Sequence, residues 1–514
     1  MMDIFLQGLD LKSLPGPLPA FRAPAGRDQW RRLCAQVHEA DGRLAALWAT
    51  DARPDGQGFL VHAVLTLVDS WLWLTYSAGD EQPSYPAIDD IFPSAARPQR
   101  AIYDLLGIAC GGADARPWLR HGAWSPTEFP LRHDFDTPAM PPDRESGYPF
   151  IAVAGNGVHE IGVGPIHAGT IEPGHFRFHV VGDEILRLEE RLGYTHKGVE
   201  KRFGSLTLPQ GTRLAARICA DSTVAYTWAY AMAAETLCGC HVPHRAQWLR
   251  GLLLERERIA NHLGDIGALS NDAGLAFGQT QFSLLKERWI QANHRVFGHR
   301  YLMDTIVLGG VAHDLGPEGQ GQMREECDTL EMAVHTLQDI IDDHAGLQER
   351  FIETGRVTMA QARALGAVGL IARASGLARD MRTEFPYLPY TALSTRAITR
   401  SQGDVAARVV LRFSEIYESL RLIRDILANF PDGPLLGDCD TDNGTAGLGC
   451  VEGWRGEVLV GIERIASGHT HRVHIHDPSW QNWPLLEHAV IGDLVPDFPL
   501  INKSFNLAYS GHDL

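Results

Sequence analysis

Residues 59–68 and 71–76 are two apolar runs close together in the chain, Phe-Leu-Val-His-Ala-Val-Leu-Thr-Leu-Val and Trp-Leu-Trp-Leu-Thr-Tyr. Both are rich in β-branched and aromatic residues, which suit a pleated surface, and they predict two strands joined by a short turn. The apolar pattern lapses over residues 134–149, which carry four prolines and predict a linker. Residues 151–184 read as strand again, punctuated by Gly155-Asn-Gly157 and Gly162-Val-Gly164-Pro165. From Leu214 the pattern predicts long helices over 215–238, 245–263, 282–305 and 320–344, each too long for an ordinary strand. Shorter helical runs follow at 359–365 and 405–428, then strands at 456–462 and 472–476. The chain shows no internal repeat. It is expected to be α+β: a small α/β module (1–137), a linker (138–150) and a large, mainly helical domain with β flaps (151–514).

Charge narrows the partners. The formal net charge of -17 argues against nucleic acid, whose phosphates need clustered Lys and Arg. Eight cysteines (34, 110, 219, 238, 240, 327, 439 and 450) spread over 514 residues do not make the dense framework of a secreted mini-domain. Reduced thiols are therefore expected, with Cys238 and Cys240 structural. The first nineteen residues lack the basic-then-apolar order of a signal peptide. No apolar stretch approaches the ~20 residues that a spanning helix needs. A place at a membrane would depend on partner subunits.

Four stretches carry a resemblance, in this order: Gly164-Pro-Ile-His167, Tyr194-Thr-His-Lys-Gly-Val-Glu200-Lys201, Arg217-Ile-Cys-Ala-Asp-Ser222, and Glu349-Arg-Phe-Ile-Glu-Thr-Gly-Arg356 leading to Ser375-Gly-Leu-Ala-Arg-Asp380-Met-Arg382. Together they resemble the 49-kilodalton subunit of complex I and the large subunits of group 4 nickel–iron hydrogenases. Tyr103-Asp-Leu-Leu-Gly-Ile108 and Pro130-Leu-Arg-His-Asp-Phe135 resemble the 30-kilodalton subunit of complex I. The two modules are fused in this order in formate hydrogenlyase-type large subunits. The resemblance implies a subunit of an NADH:quinone oxidoreductase or hydrogenase-like complex, a kind associated with NAD and quinone binding. It further implies an iron–sulfur small subunit and antiporter-like and quinone-site membrane subunits as partners, and a peripheral position on the cytoplasmic face of the cell membrane.

Nickel–iron hydrogenases hold their metals with two Cys-x-x-Cys pairs, whose thiolates are soft donors projecting to one side. The resemblance maps the first pair onto Cys219 and Ser222, and the second onto Ser479 and Asn482, after Asp477-Pro478. Hydroxyl and amide are hard, neutral donors and poor substitutes, so a chain without a nickel–iron centre is expected. The closest kin by this criterion are energy-converting hydrogenase-related subunits that lack the cysteines. His469, His471, His474 and His476 fall on a strand and split between its two faces, which favours hydrogen-bonded histidines over a metal site.

The same resemblance assigns what chemistry remains. In complex I the second histidine of this loop approaches the quinone and an aspartate on a later helix orients it. Here the second histidine position is Ile171, the first histidine is kept as His167 and is the loop's remaining candidate, and the aspartate maps to Asp272. The family's quinone tyrosine maps to Ala220, which has no phenol. Glu200 matches a proton-relay glutamate of the hydrogenases. His167, Asp272 and Glu200 are thus the candidate catalytic residues, with His167 and Asp272 the candidate quinone contacts. The expected function is electron transfer from an iron–sulfur cluster in a partner to a quinone-like or unknown acceptor, with no cofactor held by this chain. The alternative is a non-catalytic scaffold linking iron–sulfur and membrane subunits.

Overall fold

The computed structural model describes residues 9–122, 124–136, 147–167, 171–439, 444–464 and 470–514. Most of the expected linker, up to position 146, lies outside the described residues. The chain opens with β1 (Lys12–Leu14), β2 (Ala20–Pro24), α1 (Arg27–Glu39), β3 (Arg43–Asp51), β4 (Phe59–Thr66), β5 (Trp71–Gly79), β6 (Ser84–Pro86), α2 (Ala96–Leu106) and β7 (Ala109–Gly111). Strands β1 to β5 form one sheet, ordered β1-β2-β5-β4-β3, in which only β2 and β5 run parallel.

Every residue of β3 and β4 is buried, because this sheet is covered on both faces. That explains why 59–66 reads as a continuous apolar run rather than an alternating one. On one face α1 contributes Trp30, Leu33, Cys34 and Val37. Trp48, Val64, Trp71 and Trp73 project from the other into a core shared with the large domain.

The large domain follows with the antiparallel strands β8 (Val158–Val163), β9 (His175–Val181) and β10 (Glu184–Arg191). Next come α3 (Val199–Phe203), α4 (Leu208–Ala215), α5 (Thr223–Cys238), α6 (His244–Asp272) and α7 (Ala276–Phe297). A short hairpin, β11 (Ile306–Val307) and β12 (Gly310–Val311), precedes α8 (Pro317–Asp342), α9 (Ala345–Phe351), α10 (Met359–Ala364), α11 (Gly369–Ala374), α12 (Met381–Glu384) and α13 (Val405–Ala428). The chain finishes with β13 (Ala446–Glu452), β14 (Glu457–Arg464), β15 (Thr470–His476), α14 (Ser479–Ala489), α15 (Phe498–Phe505) and α16 (Ser510–Asp513). This is the expected α+β architecture. Among the described residues no helix is long and apolar enough to cross a membrane.

The helix expected over 215–238 begins only at Thr223 (α5); residues 216–222 separate it from α4, which ends at Ala215. The break is stabilised from outside: the Glu257 carboxyl oxygens of α6 accept from the backbone N–H of Val224 (2.6 Å) and Ala225 (3.1 Å). It thereby satisfies two of the donors that a helix N-terminus leaves open. Every side chain of α5 is buried, and the helix lies directly on β13. A Cβ on Gly447 or Gly449 would strike the carbonyl oxygens of Ala233 or Ala229. Both strand positions therefore have to be glycine.

Module and domain do not pack as separate bodies. Strand β14 lies on the N-terminal sheet, where Glu463 accepts from Arg22 (2.6 Å) and Thr50 (2.6 Å). Glu457 pairs with Arg43, and a Cβ on Gly461 would come within 2.9 Å of the Trp48 ring. The apolar core runs without a break from residues of α1 and α2 through β9 and β10 to α14.

One cysteine expectation is corrected. Cys240, just beyond α5, is disulfide-bonded to Cys439 across 199 residues, with Cα atoms 4.4 Å apart. A separation of that size gives a linear sequence no signal of pairing. The other six cysteines are free thiols.

Candidate functional site

The four mapped ligand positions lie on two helix starts. Cys219 and Ser222 occupy the turn before α5, and Ser479 and Asn482 open α14, where the first turn keeps them on one side of the helix. Asp221, between the first two, organises its surroundings. Its Oδ1 accepts from the Cys219 thiol (3.0 Å), the Ser222 hydroxyl (3.0 Å) and Arg455 Nη1 (2.7 Å), while Oδ2 takes Arg455 Nη2 (2.7 Å). Ser222 Oγ accepts in addition from Trp454 Nε1 (3.0 Å) and Arg455 Nη1 (3.1 Å). Burial alone would raise the Asp221 pKa, but the Arg455 charge and these donors hold it well below the ordinary carboxylate value. Burial and the neighbouring carboxylate push the Cys219 thiol well above its usual pKa, so it stays protonated.

The second pair is equally engaged. Ser479 Oγ accepts from the Ala508 N–H (2.9 Å), and the Ser479 N–H donates to Asp477 Oδ1 (2.7 Å). Asn482 clamps the backbone of Val368, accepting from its N–H and donating to its carbonyl, both at 3.2 Å. Tyr226, one turn into α5, donates its hydroxyl to Asp477 Oδ2. A guanidinium thus hydrogen-bonds one former ligand position, and each of the other three side chains is hydrogen-bonded within the protein. This donor set does not fit a nickel–iron centre: three of the four groups are hard and neutral, and the fourth is a thiol held protonated. Among the described residues no three His, Cys, Asp or Glu side chains are grouped to hold a metal ion.

Asp221, Tyr226, Trp454, Arg455 and Asp477 were not singled out from sequence as site residues. Asp221 sits inside the Cys219–Ser222 segment and was within reach of that reading. Arg455 reaches the site from the β13–β14 turn, and no spacing in the chain announces it.

His167 and Asp272 are not bonded to each other. His167 Nε2 lies 2.9 Å from the Gly174 carbonyl oxygen, so the ring ties the loop back onto the start of β9. Asp272 ends α6 on the surface, with Asn271 and Lys503 as its neighbours. The imidazole's partner is therefore the loop carbonyl and not Asp272. Ile166 beside the loop is 90% exposed, and Ile171 is exposed as well.

Glu200, on α3, is held tightly. Its Oε2 accepts from Arg472 Nη2 (2.9 Å), and its Oε1 lies 2.8 Å from His474 Nδ1. The side chain is only 8% exposed, and burial would raise its pKa. The charge of Arg472 and the His474 bond outweigh that and bring it down to about 2. His476 contacts Gln481, 3.1 Å from Nε2 to Oε1. His469 and the side chain of His471 lie outside the described residues.

Comparison with known proteins places these observations. Residues 24–141 match the family model of the 30-kilodalton subunit of respiratory-chain NADH dehydrogenase. Residues 272–446 match that of its 49-kilodalton subunit. Formate hydrogenlyase subunit 5 of Escherichia coli is 30% identical over 487 residues, covering 93% of this chain and 85% of that protein. An NADH-quinone oxidoreductase subunit of Bacteroides thetaiotaomicron is 28% identical, over 82% of this chain and 83% of that one. A chain of an archaeal respiratory membrane complex, the membrane-bound sulfane sulfur reductase, superposes with a TM-score of 0.65 at 25% identity, covering 70% of this chain and 98% of that chain. The chain belongs to the family of complex I-type and formate hydrogenlyase-type large subunits, in which a 30-kilodalton-like and a 49-kilodalton-like module are joined in one polypeptide.

Proposed function

We propose that the chain serves in the peripheral arm of a membrane-bound oxidoreductase, taking electrons from an iron–sulfur partner towards a quinone-like or other acceptor without a nickel–iron centre. The observation that carries this is the Arg455–Asp221 pair, which bonds the Cys219 and Ser222 positions into a closed network. A fixed cation beside these groups disfavours a second one, and together with Trp454 it occupies the Ser222 lone pairs that a metal would use. Membrane subunits would hold the chain at the cytoplasmic face of the membrane. The test is metal analysis of the purified complex together with dye-linked hydrogen uptake. Iron confined to the partner's clusters, no stoichiometric nickel and no hydrogen uptake are expected; stoichiometric nickel ends the proposal.

A scaffold reading is favoured by one specific observation, the separation of His167 from Asp272. Under it, His167→Ala leaves both assembly and electron flow unchanged. If His167 serves the acceptor, the same substitution stops electron transfer in an intact complex.

A further inference from the structure

Next to the former metal positions, and distinct from them, a cavity of about 30 Å³ lies between the N-terminal sheet and the last residues of the described chain. Glu200, His474, His476, Trp480, His512 and Asp513 are among its walls. His474 Nδ1 faces the Glu200 carboxylate at 2.8 Å. A carboxylate can only accept, so the proton sits on Nδ1 and Nε2 carries a lone pair. That Nε2 is buried and has no hydrogen-bond partner. His512 repeats the arrangement, with Nδ1 2.9 Å from Asp513 Oδ1 and Nε2 buried and unpartnered. Asp513 is an acceptor on its other side too, since Oδ2 takes the N–H (3.0 Å) and hydroxyl (2.7 Å) of Thr195.

His476 uses Nε2 on Gln481 and leaves Nδ1 buried and unpartnered. Trp480 stacks between His476 and His512, with ring centroids 5.9 and 3.9 Å away, and its indole N–H is unpartnered as well. Four orphaned polar atoms therefore belong to side chains lining one small cavity. Buried polar groups are nearly always paired, so such a cluster calls for a ligand. Polar walls and a volume of this size are the conditions under which internal water is held. Nothing larger fits.

We propose that the cavity holds one or two ordered waters that join His474, His476 and His512 into a buried proton relay between Glu200 and Asp513. In one transfer, the Nε2–H bond of a His512 imidazolium breaks and its proton passes to the water. The water in turn gives a proton to His474 Nε2. Each imidazolium is paired with its own carboxylate, one proton moves, and no electron does. His476 Nδ1 and the Trp480 N–H fix the water between the two rings. The function proposed above supplies the purpose, protons for a redox step, but the relay does not depend on it.

The test uses the full chain labelled with ¹⁵N at histidine. His474 and His512 should report Nδ1–H tautomers, with Nε2 hydrogen-bonded to water. Ala101→Leu fills the cavity from α2 without replacing an imidazole. It should slow solvent exchange of the His474 and His512 Nδ1 protons at least tenfold. His512→Phe should slow exchange at His474 by a similar factor, which a purely structural histidine would not do. A dry cavity in an experimental structure, or His474 exchange unmoved by both substitutions, overturns the proposal. Should the intact complex show no redox turnover, the proposed function fails while this measurement still decides the relay.

Discussion

Around α6 most buried charges are paired with an opposite charge, whereas around the β15 histidines several buried nitrogens have no hydrogen-bond partner. Glu255 accepts from Ser419 (2.6 Å), Tyr390 (2.6 Å), Arg258 (3.2 Å) and Arg382 (3.1 Å). Arg373 ties Glu415 (2.8 Å) to Glu452 (2.7 Å), and Arg412 holds Asp265 at 2.9 Å. Burying ions is costly, and only complete mutual pairing offsets that cost. The result is a lattice that fixes the helices against one another. Three neutral imidazoles lining a wet cavity avoid most of that cost and keep proton positions exchangeable. One region is built for rigidity and the other for transfer.

The largest effect should come from breaking the lattice. Arg382→Met leaves Asp380 and Glu255 short of a partner, and should destabilise the chain by about 3–5 kcal/mol in denaturant unfolding. An effect near zero would mean that the lattice is not the rigid half of the comparison.

Glu257 tests a soft point in it. Burial, opposed by two backbone N–H bonds, raises its pKa to about 8. The folded state therefore holds a proton that the unfolded chain has released above an ordinary carboxylate pKa of ~4.3. Its favourable contribution is complete below that value and is lost as pH rises towards 8. Glu257→Gln should flatten this limb, giving a relative gain that grows with pH over that interval to on the order of 3 kcal/mol. Parallel wild-type and variant pH–stability profiles would refute it.

The histidines act in the opposite sense. Burial lowers the pKa of His474 and His512, and it takes His476 well below the ordinary value. Below about pH 6.5 the unfolded chain binds protons that the folded chain refuses, so stability falls as pH drops through that value. His476→Phe should weaken this acid limb by about 1–2 kcal/mol between pH 7 and 5, read from unfolding midpoints. Near pH 8 the same substitution should shift stability by no more than about 1 kcal/mol, because the lost Gln481 bond is offset by removal of an unpartnered nitrogen. A penalty like that of Arg382→Met would erase the distinction between the regions.

Much of the fold was legible in local pattern. The expected helix over 405–428 has the observed bounds, because Asp404 caps it, accepting from Ala407 N–H at 2.8 Å. Strands β4, β5, β14 and β15 stand where apolar runs predicted them. Strand β13 was missed: Gly447 and Gly449 interrupt its apolar pattern, and they are there to admit the backbone of α5. The split between α4 and α5 was missed because its cap comes from Glu257, more than thirty residues away. The resemblance mapped Cys219, Ser222, Ser479 and Asn482, since those positions lie on local motifs. It gave no sign of Arg455, and motif matching alone linked His167 to Asp272. Contacts made in three dimensions decide such pairings, and a linear motif does not encode them.

The two-sided burial of the N-terminal sheet has a consequence for biosynthesis. Arg43 and its partner Glu457 are 414 positions apart. At about 5–20 residues per second, a ribosome needs roughly 20–80 s to make the intervening chain. Throughout that interval Trp48, Trp71 and Trp73 lack the surface that will cover them. The nascent chain must therefore shelter an unfinished, sticky sheet, with a holding chaperone as its natural companion. An expression clone that stops after the first module would yield an aggregation-prone fragment, and the two modules are best produced as one polypeptide.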